Sequence, residues 1–319
     1  MIGKKKVVAP PPDQSMKDLA RRGPHKVDRG DLGIVGLAGQ VFAPRTGTDL
    51  PAIAFGHAWL RDSAAYRDLM FHLASWGIVV AAPDSERGPL ASDIELATDL
   101  RAALTVVQSV RLGTSDAITV DPEKVGLVGH GFGAAAAVRA ASAEALLGRP
   151  QIPVKALIPL FPAPTTATLL PAAESVTAPT LIVAGAGEID SMAGNALVLA
   201  QTVGGDVVLR TLPGGDSKGL LERFSPKSLI GINGAERKLH AAVRAQVTGF
   251  LLHRLTGDER YAAFSDPEVA MGGLLVVDPA TQRRADVDHF AQLLGVAPFD
   301  AAAEPPADER DTKGLPAAR

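Results

Sequence analysis

One stretch constrains this chain more than any other: Val125-Gly-Leu-Val-Gly-His-Gly-Phe-Gly-Ala-Ala-Ala-Ala-Val138. An apolar, partly β-branched run (Val125 to Val128) meets a turn with glycine at 129, 131 and 133. An alanine run of high helix propensity follows. Strand, sharp turn and helix in that order predict a strand inside an α/β sheet, with the helix packed back across it. Three readings of the turn are open: an elbow that lifts its central residue on a strained backbone, a dinucleotide-binding turn, or a purely structural bend.

Gly129, Gly131 and Ala134 fit the dinucleotide fingerprint G-x-G-x-x-G/A. That fingerprint belongs at the first strand–helix turn, with an acidic residue about 20 positions on. Here several strand-like runs precede it, and the next strand, Val154 to Leu160, carries only Lys155 as a charge. Gly129-His130-Gly131-Phe132-Gly133 also keeps the frame of the nucleophile elbow G-x-S-x-G of α/β-hydrolases. Its central residue has no side chain. A non-glycine residue in such a backbone costs about 1–3 kcal/mol, a strain that glycine avoids because it lacks Cβ. Gly131 therefore favours the fold and removes the attacking oxygen.

The flanking sequence alternates strand-like and helix-like pieces. Ile34 to Ala43 suits a strand or hairpin arm, Ala52 to Phe55 a buried strand, and Gly77 to Pro83 another. Between them Ser63 can cap a helix reaching Trp76. Ser92 to Leu112 is the clearest helix, with Leu96, Leu100, Leu104, Val107 and Val110 on one face. Strands are expected at Val154–Leu160, within Ala178–Gly187 and at Asp206–Leu212, and a helix from about Ala235 to Leu255, stopped by Gly257. A mostly parallel sheet covered by helices on both faces follows.

Met1 to Pro24, with Lys4-Lys5-Lys6 and Pro10-Pro11-Pro12, reads as a flexible arm without the apolar core of a signal peptide. The main domain is expected over residues 25–264, an extension over 265–300 and a disordered tail over 301–319. In the extension, Gly272 to Asp278 is strand-like and Ala285 to Leu294 suits a short helix. No apolar run approaches the ~20 residues that span a bilayer, so a soluble protein is expected, and with no signal peptide recognised a cytoplasmic one. A net charge of −3 gives no electrostatic case for nucleic acid. With no cysteine there is no disulfide, thiol nucleophile or thiolate metal site. His25, His72, His253 and His289 show no metal-ligand spacing, so neither metal nor cofactor is expected.

Taken together, the elbow, the turn Gly56-His57-Ala58-Trp59, the run Ala178-Pro-Thr-Leu-Ile-Val183, Ser228-Leu-Ile-Gly231 and the closing Gly257-Asp-Glu-Arg-Tyr-Ala-Ala-Phe264 carry a resemblance. The chain resembles an α/β-hydrolase of the bacterial cutinase and polyester-hydrolase type, near the dienelactone-hydrolase-like branch, over Gly33 to Phe264. The resemblance implies an α/β-hydrolase fold and places the family's acid on Asp190. It places the oxyanion donors on the backbone N–H groups of Trp59 and Phe132, with His57 and His130 flanking them. The nucleophile position falls on Gly131. The histidine position, in Gly215-Asp216-Ser217-Lys218, falls on Lys218. The aromatic wall expected after Pro159–Pro162 is replaced by Ala163 and Pro164. An ammonium at 218 could keep Asp190 paired. Ser217 and Lys218 are neighbours in a loop and point apart, and His240 lies 22 residues beyond Lys218, so neither supplies an obvious substitute. The expected function is that of a catalytically degenerate hydrolase binding a small ligand or protein partner. An ester hydrolase using displaced residues and a nucleotide binder are the alternatives.

Overall fold

The structure, a computed structural model, describes residues 10–113, 117–146, 151–163, 169–191, 194, 196–221 and 234–282. One nine-stranded sheet organises them, in the order β1-β2-β4-β3-β5-β6-β7-β8-β9. The strands are β1 (Val27–Asp31), β2 (Gly39–Pro44), β3 (Gly47–Gly56), β4 (Val79–Pro83), β5 (Ile118–His130), β6 (Ala156–Leu160), β7 (Thr180–Gly185), β8 (Val207–Leu212) and β9 (Leu275–Val277). From β4 to β8 every pairing is parallel, and antiparallel strands close both edges. The parallel strands are buried on both faces, which is why they read as continuous apolar runs.

The helices are α1 (Pro12–Leu19), α2 (Arg67–Ser75), α3 (Asp93–Ser109), α4 (Phe132–Ala141), α5 (Leu170–Glu174), α6 (Ala196–Thr202) and α7 (Gly234–Thr256). One face of the sheet meets Leu96, Leu100 and Val107 of α3, Ala136 and Val138 of α4, and Leu197 and Leu199 of α6. The opposite face meets Leu69 and Leu73 of α2 and Val243, Phe250 and Leu251 of α7. Helix α3 begins as its sequence predicts: the Ser92 side chain accepts the Glu95 N–H at 3.2 Å.

Two boundaries differ from expectation. Residues 12–19 lie inside the expected arm, yet they form α1. Its proline sits in the first turn, where a missing N–H costs nothing. Met16 and Leu19 are buried in the core that α7 also joins, and an added Cβ at Gly272 would fall 2.2 Å from Met16 Cε. The core also runs past 264. Arg210 of β8 is fully buried and donates to the carbonyls of Pro267 and Val269, each at 2.9 Å, and β9 then pairs with β8. The helix expected over 285–294 and the tail over 301–319 lie outside the described residues. No helix among the described residues is long and apolar enough to cross a membrane.

Helix α4 is held at its C-terminal end. Arg139 pairs with Asp93 at 2.7 Å. The buried Arg101 guanidinium donates to the carbonyls of Ala140 (2.9 Å), Ser142 (2.8 Å) and Glu144 (3.0 Å), covering the carbonyls that the helix end leaves unpaired.

Candidate functional site

The turn between β5 and α4 is a sharp elbow. Gly131 has φ 57° and ψ −114°, a conformation that L-residues adopt only under strain. Its N–H donates to Leu160 O at 3.0 Å, and its carbonyl accepts from Ala134 N–H at 3.1 Å. A Cβ at 131 would come no closer than 3.4 Å to any neighbour, the Ala58 Cβ. Space for a side chain therefore exists at the tip.

The other glycines of the turn have a packing reason. In the sheet register Gly56 of β3 stands opposite Gly129 of β5. A Cβ on Gly129 would lie 2.0 Å from Gly133 O, and one on Gly133 would lie 2.3 Å from Gly56. Helix α4 thus crosses the strands at backbone contact. This crossing requires Gly129 and Gly133; of the positions that resemble a dinucleotide fingerprint it accounts for Gly129 alone.

Beside the elbow runs the turn that follows β3. His57 is buried, with Nδ1 2.9 Å from Ala58 O and Nε2 2.7 Å from Ser85 O. Both nitrogens face carbonyl oxygens, which ties the turn to the loop after β4. A second tie joins the same segments: Asp84 accepts from Ser63 N–H (2.6 Å) and from Ser63 Oγ (2.9 Å). Trp59 and Leu60 project from this turn half-exposed, and Leu60 sits at φ 57°, a strained backbone for a bulky side chain. The amides of Trp59 and Phe132 take part in no hydrogen bond among the described residues. Phe132 opens α4, where an unpartnered N–H is the rule.

Under the elbow lies a buried polar relay. Tyr66 Oη accepts from Ala58 N–H at 3.0 Å and lies 2.7 Å from His130 Nδ1. Burial pushes the His130 pKa down to about 3, with the Ser217 backbone acting in the opposite sense, so the ring is neutral near pH 7. Ala58 N–H already donates to the Tyr66 oxygen. The Tyr66 hydroxyl then donates to Nδ1, and the network assigns the ring proton to Nε2. Among the described residues that Nε2 meets no partner at normal hydrogen-bond geometry; the Ser217 backbone lies near it and favours the charged ring.

The His130 ring thus sits beside the loop that carries Lys218, and Glu188 approaches the same loop from the end of β7. Glu188 Oε2 accepts the Ser217 N–H at 2.9 Å. Burial raises the Glu188 pKa, and Asp216 adds to this, while the Ser217 N–H and the charge of Lys218 oppose it. Asp216 caps the 3-10 turn Ser217–Leu220 through Gly219 N–H at 2.7 Å. In the sequence Glu188 stands just after the strand-like run ending at Gly187, and Tyr66 falls inside the helix-like stretch from Ser63 to Trp76. Neither motif nor spacing marked Glu188 as the loop's anchor, or Tyr66 as the link from the turn to His130.

The expected ion pair between Asp190 and Lys218 is not formed. Lys218 is exposed, and among the described residues no salt bridge joins it to Asp190. Asp190, half-buried after β7, takes its contacts elsewhere. The physical reason is that Glu188 meets the loop through a backbone amide, which leaves the lysine side chain free to remain in water. Among the described residues no cluster of His, Asp and Glu has the grouping of a metal site. Cavities of about 660 and 460 Å³ open near β1, away from the elbow.

No curated protein matches the chain. A family model described as PETase, PET hydrolase-like, matches residues 5–200. The match takes in Trp59, Gly131 and Asp190 and stops short of Lys218; it begins well before Gly33, where the sequence resemblance begins. With more than half its length matched and a mostly parallel sheet carrying a strand–elbow–helix at its centre, the chain belongs to the PET hydrolase-like family of α/β-hydrolases.

Proposed function

We propose that this chain is a non-catalytic member of its family, which binds a carbonyl-bearing, partly apolar ligand at the elbow without cleaving it. The observation that carries the reading is Gly131, a residue with no nucleophile standing at the strained tip of an elbow that has room for a side chain. Lys218 supports it, because an exposed ammonium cannot take a proton from a hydroxyl as a neutral imidazole would. The amides of Trp59 and Phe132 remain available to a ligand oxygen, a function that does not depend on their side chains. Trp59 and Leu60 add apolar surface beside those amides.

The test is hydrolysis of short p-nitrophenyl esters by the purified chain, with a phosphonate ester analogue titrated as a ligand. We expect no saturable turnover and saturable binding of the analogue. Turnover that survives repurification and disappears on mutating His57 or His240 would establish the alternative, an ester hydrolase using displaced residues.

A further inference from the structure

The smaller cavity, of about 460 Å³, lies on the sheet face opposite helix α3. In the strand register Arg29 stands across from Phe42, and Asp31 across from Gln40. Phe42 belongs to the core shared with α2 and α7. Side chains two apart on a strand share a face, so Arg29, Asp31 and Gln40 lie together on that one. All three line the cavity, and Asp84 and Arg87 line it from the loop after β4. Its size falls in the ~300–1,000 Å³ range of small-molecule sites, but such sites are mostly apolar. Here no apolar side chain larger than alanine lines the space, which excludes an apolar occupant.

The charges in the lining cancel, with two guanidinium groups against two carboxylates, so neither an anion nor a cation is favoured. What distinguishes the site is its unspent hydrogen-bonding capacity. Asp84 gives both oxygens to Ser63, at 2.6 and 2.9 Å. Asp31 gives one oxygen to Gly33 N–H at 2.7 Å and keeps the other. The side chains of Arg29 and Gln40 make no hydrogen bond among the described residues. Arg87 meets Asp62 only at 3.9 Å, an exposed pair of the kind worth little. Free donors on Arg29, Arg87 and Gln40 therefore stand beside free acceptors on Asp31 and Gln40. A hydroxyl uses both kinds at once, since it has one O–H to donate and two lone pairs to accept. A zwitterion fits less well, because neither carboxylate is wholly free to pair its cation.

We propose that this cavity binds a neutral saccharide of one or two rings, whose hydroxyls donate to Asp31 and Gln40 and accept from Arg29, Arg87 and Gln40. The site does not rest on how the elbow is read.

Maltose and cellobiose titrated into the full chain, with amide chemical shifts as the readout, test the proposal. We expect at least one of them to shift the signals of Gly30, Gly39 and Asp84 saturably, with a single dissociation constant. The signals of Trp59 and Phe132 should stay in place. Arg29→Gln with Asp31→Asn should weaken binding about tenfold or more, because several hydrogen bonds to charged groups go together. Asparagine keeps an oxygen for the Gly33 N–H, so the melting temperature should hold. Arg87→Gln, on the other side of the cavity, should weaken binding about threefold. The fully O-methylated sugar keeps its acceptors and loses its donors, and should not bind. No saturable shift with either sugar, or wild-type affinity in both variants, would overturn the proposal. Binding of the methylated sugar as tight as that of its parent would do the same, since hydroxyl donors would then go unread. Shifts at Trp59 and Phe132 in place of the β1 edge would move the ligand to the elbow and overturn it. Tighter binding of citrate or glycine betaine than of either sugar would overturn it by giving the site to an anion or a zwitterion.

Discussion

Gly131 and Lys218 make opposite demands on a restored hydrolase. At 131 the room for a serine exists, but φ 57° makes any side chain strained, so Gly131→Ser should lower stability by about 1–3 kcal/mol in denaturant titrations. It should yield no ester turnover, because a hydroxyl without a base is a weak nucleophile. Adding Lys218→His should raise p-nitrophenyl acetate hydrolysis above both single variants. Turnover by the serine variant alone would mean a base already in place and would undo the assignment of 218. Silence in a well-folded double variant would show that the loop has left triad geometry, and would count against ligand binding at the elbow. Lys218→Ala should leave stability within about 0.5 kcal/mol, as for an exposed side chain outside any pair. A loss of about 3–5 kcal/mol would instead signal a buried pair. Tyr66→Phe is the sharper probe of the residues under the elbow. It strands the Ala58 N–H and His130 Nδ1 together, and should cost about 1–3 kcal/mol.

At the scale of elements, what was legible in the sequence was what local rules dictate. The capped start of α3, the β-branched run before the elbow and the stop at Gly257 depend on nearest neighbours, and each lies where it was read. Helix α1 is not legible locally because its lysine and proline surroundings resemble a tail, and its reason for folding is tertiary: Met16 and Leu19 enter a core shared with α7, and Gly272 packs against Met16. The strand read at Ile34–Ala43 proved to be two pieces, since Gly36 at φ 81° ends a 3-10 turn before β2 begins. At the site, the elbow was visible as a motif, whereas Glu188 and Tyr66 act through bonds across 29 and 64 residues of chain that no spacing announces. Long-range arginines escaped for the same reason. Arg101 reads as a residue off the apolar face of an amphipathic helix, yet it caps α4. Arg101→Met should cost about 3 kcal/mol or more in a denaturant midpoint measurement, because several buried carbonyls lose their donor together.

For the whole molecule, two buried imidazoles make stability depend on pH. Burial, aided by the charge of Arg244, pushes the His72 pKa from 6.5 to about 4, and burial pushes that of His130 to about 3. Both folded values lie below the unfolded one, so the unfolded chain binds more protons throughout the interval. Their contribution is fully present above pH 6.5 and is lost as the pH falls, down to the folded values. By pH 4.5 each should have removed about 2–3 kcal/mol. In this window the lowered pKa of His253 acts in the same direction and the raised pKa of Glu188 in the opposite one. The fall in stability between pH 6.5 and 4.5 therefore belongs chiefly to His72 and His130, whose shifts are the large ones. The two differ in consequence. His72 lies between α2 and the rest of the buried face, and its charging destabilises the fold without touching the elbow. Charging His130 puts a proton on Nδ1, so that Nδ1 and Ala58 N–H both donate to Tyr66 Oη and the tyrosine hydroxyl loses its acceptor. With a folded pKa of about 3 the ring stays neutral in the closed turn. Between pH 6.5 and 4.5 it takes up its proton only when the turn opens, so the open form of the turn bearing Trp59 gains as the pH falls. Hydrogen exchange at Ala58 should accelerate between pH 6 and 4.5, beyond the intrinsic pH trend, in wild type and equally in His72→Met. His72→Met should also flatten the global stability curve by about half. A curve equally steep in that variant would show that His72 does not titrate as placed. Unchanged protection at Ala58 across the interval would show that the turn does not depend on the Tyr66–His130 bond.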